Sequence, residues 1–180
     1  QALDFDGSND YVTAGDIAAI DTATALTGCA WVKHDTLTGD DVIFSNTSST
    51  STNDGIHLWR DDTGASSGRT DTYSIQVADS TDTSAKRIEG ATGASVSSTW
   101  THVCFTYAFN SATGLRLYIN GVEDASSPTS TTAIAAIDAG TTPFSIGVQS
   151  DLVTSEFDGQ IDDVRVYNRT LSATEISQLY

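Results

Sequence analysis

The sequence contains no methionine and only two lysines, Lys33 and Lys86. Basic residues of both kinds number 8 against 24 acidic ones, giving a formal net charge of −16. That shortage excludes a nucleic-acid-binding surface, which needs clustered Lys and Arg against the phosphates. It also excludes docking on an anionic membrane leaflet. No stretch approaches the ~18 consecutive apolar residues of a spanning helix, so membrane insertion is not expected. The start of the chain has no apolar leader core and runs from Gln1 straight into a strand-like segment, as a processed or excised domain would. Helical periodicity is nearly absent. So are a Ser–His–Asp order, a glycine-rich phosphate loop and a zinc-ligand spacing. The acidic excess keeps a protein soluble, and cations are its natural partners.

Hydrophobic residues make up 38% of the 180-residue chain. That is below the ~45–50% usual for soluble domains. It still suffices for one core, because a chain of this length buries roughly two-thirds of its unfolded surface. One domain over residues 1–180 is expected.

What is present is strand periodicity. Leu3–Phe5, Cys29–Lys33, Val42–Phe44, Gly55–Trp59, Tyr73–Val77, Thr101–Tyr107, Leu115–Ile119, Phe144–Val148 and Ile161–Tyr167 read as short strands separated by turn residues. Asn120-Gly121 is the favoured dipeptide of a two-residue hairpin. Loops are expected at Ser45–Asn53, Asp61–Thr72 and Ser126–Ala133, and a short helix or turn within Asp16–Ala25. Ser172-Ala173-Thr174-Glu175 is a capping box, so a helical turn over Ala173–Leu179 should follow.

Four motifs in order resemble one family. These are Ala2–Val12, Ala30-Trp31-Val32-Lys33, Trp100–Tyr107 with the Leu115–Gly121 hairpin, and Phe157–Ser172. Together they are similar to the laminin-G-like, concanavalin A-like lectin/glucanase domains. The resemblance implies an all-β fold, a two-sheet antiparallel jelly-roll sandwich with a short C-terminal helical turn. It also implies that the first and last strands meet, which would bring the Asp6–Asp10 turn toward Asp162. By the same resemblance Trp31 and Trp100 fall in structural motifs and are expected in the core.

That fold hosts lectins, adhesion modules and some polysaccharide-degrading enzymes, so residues must decide among them. Glucanases of this type carry an alternating Glu-x-Asp-x-Glu run. Here only Glu89, Glu123, Glu156 and Glu175 occur, and none lies in such a run. No catalytic residue is assigned. The resemblance implies a structural calcium ion with Asp162 as a ligand, joined by Asp6 and by Asp10 or Asn9, whose oxygens are of the kind calcium takes in sets of six to eight. The same residues also serve as ordinary turn formers and amide acceptors. Cys29 and Cys104 fit either a cross-strand disulfide or two buried thiols. For ligand binding, Trp59 with His57, Arg60 and Tyr73 is the best candidate set, with Trp59 as a stacking platform or as core. Asn46-Thr47-Ser48 and Asn168-Arg169-Thr170 match the N-glycosylation sequon.

The expected function is a non-catalytic, extracellular recognition module that binds a glycan or a protein surface, with roles such as cell adhesion. The alternative is a structural or display domain of a virion, fibre or filament. Such a domain would self-assemble or form part of a larger multidomain chain.

Overall fold

The structure is a computed structural model that describes residues 2–47, 55–62, 68–79, 85–126, 133–134, 136–137, 141–149 and 155–180. Parts of each expected loop (48–53, 63–67 and 127–132) lie outside the described residues. The elements in chain order are β1 (Leu3–Asp6), β2 (Val12–Gly15), α1 (Ala18–Asp21), β3 (Ala25–His34), β4 (Asp41–Ser45), β5 (Gly55–Asp61) and β6 (Thr72–Ala78). There follow β7 (Ala85–Glu89), β8 (Thr101–Ala108), β9 (Arg116–Ile119), β10 (Val122–Glu123), β11 (Phe144–Ile146), β12 (Asp158–Tyr167) and α2 (Ala173–Leu179).

The strands form two six-stranded antiparallel sheets. Sheet I runs β1-β12-β3-β8-β9-β10, and sheet II runs β2-β11-β4-β5-β6-β7. The first and last strands do meet, with Phe5 opposite Gly159 and Leu3 opposite Ile161. Each sheet draws on both ends of the chain, because β1 and β12 close sheet I while β2 and β11 close one edge of sheet II.

Period-two alternation builds the core. Leu26, Ala30 and Val32 of β3 and Val103, Phe105 and Tyr107 of β8 point inward from sheet I. Ile56 and Leu58 of β5 and Tyr73, Ile75 and Val77 of β6 meet them from sheet II. Each large apolar side chain so enclosed contributes about 1.5–3 kcal/mol. Gly28 takes its place in the inward row because a Cβ there would lie 2.5 Å from Phe105 and 2.7 Å from Phe44.

The outer face of sheet I has its own small cluster. Cys29, Cys104, Tyr118, Leu171 and Ile176 pack together beneath α2, with Tyr167 and Leu179 beside them. Cys29 and Cys104 stand directly opposite on β3 and β8 and are joined by a disulfide. The capping box at the start of α2 is complete. Ser172 Oγ accepts from the Glu175 amide at 3.2 Å, and the Ser172 amide donates to Glu175 Oε2 at 2.8 Å. The hairpin turn at Asn120 and Gly121 has both residues at positive φ, 50° and 75°. The expected Asp16–Ala25 helix is one turn only, since β3 begins at Ala25.

Candidate functional site

The candidate set Trp59, His57, Arg60 and Tyr73 is split between two faces of sheet II. On β5, Ile56 and Leu58 point into the core, so His57 and Trp59 point away from it. Arg60 follows the inward parity and is fully buried. Its Nε donates to Asp41 Oδ2 at 2.8 Å, Nη1 lies 3.3 Å from Asp71 Oδ1, and Nη2 donates to the Gly39 carbonyl. Asp41 in turn sits 3.1 Å from His34 Nδ1 of sheet I, so an ionic cluster pins one end of the sandwich. Tyr73 is likewise fully buried between the sheets, and that burial pushes its phenol up to about 12. Neither residue reaches a ligand.

The outward face of sheet II is polar and ordered in cross-strand rows. Ser45, His57, Gln76 and Arg87 form one row, and Val42, Trp59, Ser74 and Glu89 the next. The Trp59 ring is already occupied. The Arg87 guanidinium lies 4.5 Å from its centroid and the His57 ring 4.5 Å away on a tilted face. Trp59 retains 6% exposure. Arg87 is in turn held by Asp61 at 2.5 Å and Glu89 at 3.0 Å. This face is a closely packed network of rings and ion pairs rather than an open platform.

The four expected calcium ligands do not form one centre. Asp6 stands opposite Asp158, whereas Asp162 stands opposite Trp31, four residues further along β12. Four residues of strand span ~13 Å, and calcium–oxygen contacts of ~2.3–2.6 Å cannot bridge that. Asp6 Oδ1 accepts from the Ser8 amide at 3.0 Å and Asp10 Oδ2 from the Asp6 amide at 3.2 Å. Asp162 Oδ1 accepts from the Asp163 amide at 2.8 Å. Asn9 stays with the Asp6–Asp10 turn. Among the described residues, the His, Cys, Asp and Glu side chains close enough to share an ion are Cys29, His102 and Cys104. The disulfide uses both of those sulfurs. Of the two sequons, Asn46 is buried with its Oδ1 accepting from the Ile56 amide at 2.7 Å, while Asn168 is exposed.

An open cleft of about 470 Å³ lies on the outer face of sheet I, lined by Trp31, Trp100, Asp162 and Asp163. Trp31 and Trp100, expected in the core, are outside it. Trp31 shares the outward parity of Cys29 and Lys33 and is half-buried, and Trp100 retains 38% exposure just before β8. Trp31 packs against His102, tilted at 5.1 Å, and stacks on Tyr180 at 5.5 Å. Burial, with Arg165 nearby, lowers the His102 imidazole below its usual range, which favours its neutral form.

The two carboxylates reach one cleft because β12 is irregular there. Asp162 faces Trp31 and Arg165 faces Cys29, so Asp163 and Val164 together oppose the single residue Ala30. That is a β-bulge, the device by which a strand re-aims a side chain. Asp163 takes φ 52°, a left-handed conformation that Asp tolerates better than most residues. Neighbours in a regular strand point to opposite faces. The bulge lets Asp162 and Asp163 line the same wall. Arg165 grips both oxygens of Asp163, at 2.9 and 2.5 Å.

A family model described as the concanavalin A-like lectin/glucanases superfamily matches residues 6–177. The chain belongs to this family. Solved structures with the same fold include the Ruminococcus gnavus IT-sialidase CBM40 bound to α2,3-sialyllactose, at 14% identity and a TM-score of 0.72. That match covers 99% of this chain and 96% of the other. A native heptameric SAP-like pentraxin from Limulus polyphemus matches at 15% identity and a TM-score of 0.67, over 98% of this chain and 79% of that one. The botulinum neurotoxin serotype G binding domain matches at 15% and 0.66, over 99% and 41%. No curated protein matches the sequence. At these identities the likeness is one of fold. Among the described residues no helix is long and apolar enough to cross a membrane.

Proposed function

We propose that this concanavalin A-like domain is a non-catalytic, extracellular glycan-recognition module that binds through the Trp31–Trp100–Asp162–Asp163 cleft. The observation that carries the reading is the cleft itself, with two indoles beside two carboxylates on an open surface. A pyranose ring presents one apolar face of C–H groups that suits an indole. Its hydroxyls suit acceptors placed at the rim, and a concave site with few polar groups is the usual form of such sites. Glycoside hydrolysis would need two carboxyl groups about 5–10 Å apart flanking the scissile bond, one of them a proton donor. Here the pair is consecutive in sequence, and Arg165 holds both oxygens of Asp163. The Cys29–Cys104 disulfide supports an oxidising, extracellular setting. The interleaving of β1, β2, β11 and β12 between the sheets supports reading residues 1–180 as one module. A structural calcium ion, if bound, belongs to the Asp6–Asp10 turn with Asp158 opposite, not to Asp162.

The test is calorimetric titration of oligosaccharides found on a glycan array, into wild type and Trp100→Ala. Exposed Trp100 should be removable with little change in melting temperature. Binding should weaken at least about tenfold, or ~1.4 kcal/mol. Equal affinity in the two proteins would remove the cleft from the account.

A further inference from the structure

The CBM40 module above is recorded with a sialylated, hence anionic, sugar. This chain is built differently. We propose that its cleft selects non-anionic pyranose residues, neutral or amine-bearing, and turns away sugars that carry a carboxylate or sulfate. The inference rests on the glycan-binding reading of the same cleft.

The first argument is the wall. Asp162 and Asp163 line the cleft together with the two indoles, and among the described residues no basic side chain does. Asp163 is exposed but paired with Arg165, and Asp162 is half-buried with the Asp163 amide on its Oδ1, so the negative charge an entering group meets most directly is that of Asp162. A ligand carboxylate at contact distance meets like charge at short range.

The second argument is the disposition of cations across the whole molecule. An anionic sugar is best held by a guanidinium with free donors, which grips a carboxylate with two parallel hydrogen bonds. All six arginines are paired, five of them with groups that do not line the cleft and Arg165 with the wall residue Asp163. Arg60 is buried on Asp41. Arg69 donates to the Glu89 and Gly90 carbonyls and to Ser126. Arg87 is held by Asp61 and Glu89, and Arg116 by Glu123. Arg165 is held by Asp163, and Arg169 by Glu175 at 2.7 Å. His102, against Trp31, is pushed toward its neutral form by burial and by Arg165. Lys86 sits on β7, in the other sheet. Besides Arg165, Lys33 stands near. It follows Trp31 by two residues on the outward side of β3, ~7 Å further along the strand, and it is not part of the cleft wall.

The third argument is long-range. The chain carries a net charge of −16. Its field repels anions approaching from any direction and favours cations, most strongly at low salt.

The experiment compares neutral, amine-bearing and carboxylate-bearing oligosaccharides of matched length on wild type, Trp100→Ala, Asp163→Asn and Lys33→Ala. Asn suits the positive φ at position 163 as Asp does. Replacing Asp163 removes a repelling charge and releases Arg165. Neutral and amine-bearing sugars should bind at least about tenfold more tightly than their carboxylate-bearing counterparts. Asp163→Asn should narrow that gap by raising affinity for the acidic sugars. Trp100→Ala should weaken all binding, and Lys33→Ala should leave the ranking unchanged.

Acidic sugars bound as tightly as neutral ones, with loss in Trp100→Ala, would sink the charge selection while leaving the cleft in place. Acidic binding that disappears in Lys33→Ala would do the same and name the cation responsible. Sugars of every class that bind equally to wild type and Trp100→Ala would overturn the cleft and the selection together. So would no binding of any class.

Discussion

Arg60 Nε donates to Asp41 Oδ2 across 2.8 Å, with both side chains shut off from solvent between the two sheets. Such a pair adds little stability over a well-packed apolar one, yet breaking it strands a buried charge at a cost of about 3–5 kcal/mol. Arg60→Ala should therefore lower stability in denaturant unfolding by about that amount. Glycan affinity at the cleft on sheet I should stay as in wild type wherever the variant is folded. A variant as stable as wild type would show that the ionic cluster is dispensable.

Trp59 and Trp100 should behave in opposite ways. Trp59 is 6% exposed, with His57 and Arg87 against its ring. Trp59→Ala should lower the unfolding free energy by about 3–5 kcal/mol, as other large-to-small changes at buried aromatics do. It should leave the affinity of the folded fraction unchanged. Loss of glycan binding in Trp59→Ala without loss of stability would move the site to sheet II.

The disulfide closes a span of 75 residues. Chain-entropy arguments give about 4 kcal/mol for a loop of that size, within the usual range of about 2–5. Cys29→Ala with Cys104→Ala should shift the urea midpoint accordingly. The cluster beneath α2 should loosen first, because both cysteines belong to it. An unchanged midpoint would mean the bridge contributes nothing to stability.

Calcium should respond to the N-terminal turn and not to Asp162. We expect added calcium to raise the melting temperature of wild type and of Asp162→Ala alike. The rise should vanish when Asp6→Ala and Asp10→Ala are combined. A response abolished by Asp162→Ala alone would contradict the ~13 Å separation inferred from the ladder.

The cap of α2 carries an acid-sensitive element. Hydrogen bonds from Arg169 and Ser172 hold the Glu175 carboxyl at about 2, down from 4.5. A carboxyl lowered by folding stabilises the folded state above its ordinary pKa, and that contribution is lost as pH falls through the folded value. Protection of the α2 amides, corrected for intrinsic exchange, should fall between pH 4.5 and about 2. In Glu175→Gln that slope should flatten.

Much of the fold was legible from local signals. The Asn120-Gly121 hairpin, the Ser172–Glu175 capping box and the strand runs each depend on residues near one another in sequence, and each occurs in the structure. Parity also carried information about the sites. Arg60 shares the parity of Ile56 and Leu58, and Tyr73 that of Ile75 and Val77, so both were bound for the interior. Trp31 alternates against Ala30 and Val32, which marks it as outward. What no local signal reveals is the ladder register. Pairing of Asp6 with Asp158, and of Asp162 with Trp31, is set by contacts between distant segments. That register separates the expected calcium ligands and assembles the cleft.

The bulge on β12 makes position 163 supernumerary to the hydrogen-bonded ladder. Were it deleted, Val164 would stand opposite Ala30, and the inward sequence Ile161, Val164, Val166 would keep its phase against the core. Shifting a strand by one residue normally turns every following side chain over. Here the local kink absorbs the extra residue before it reaches the interior. One carboxylate of the cleft wall can thus be added, removed or exchanged while the packing beneath it stays untouched, which leaves the charge of that wall free to vary independently of folding.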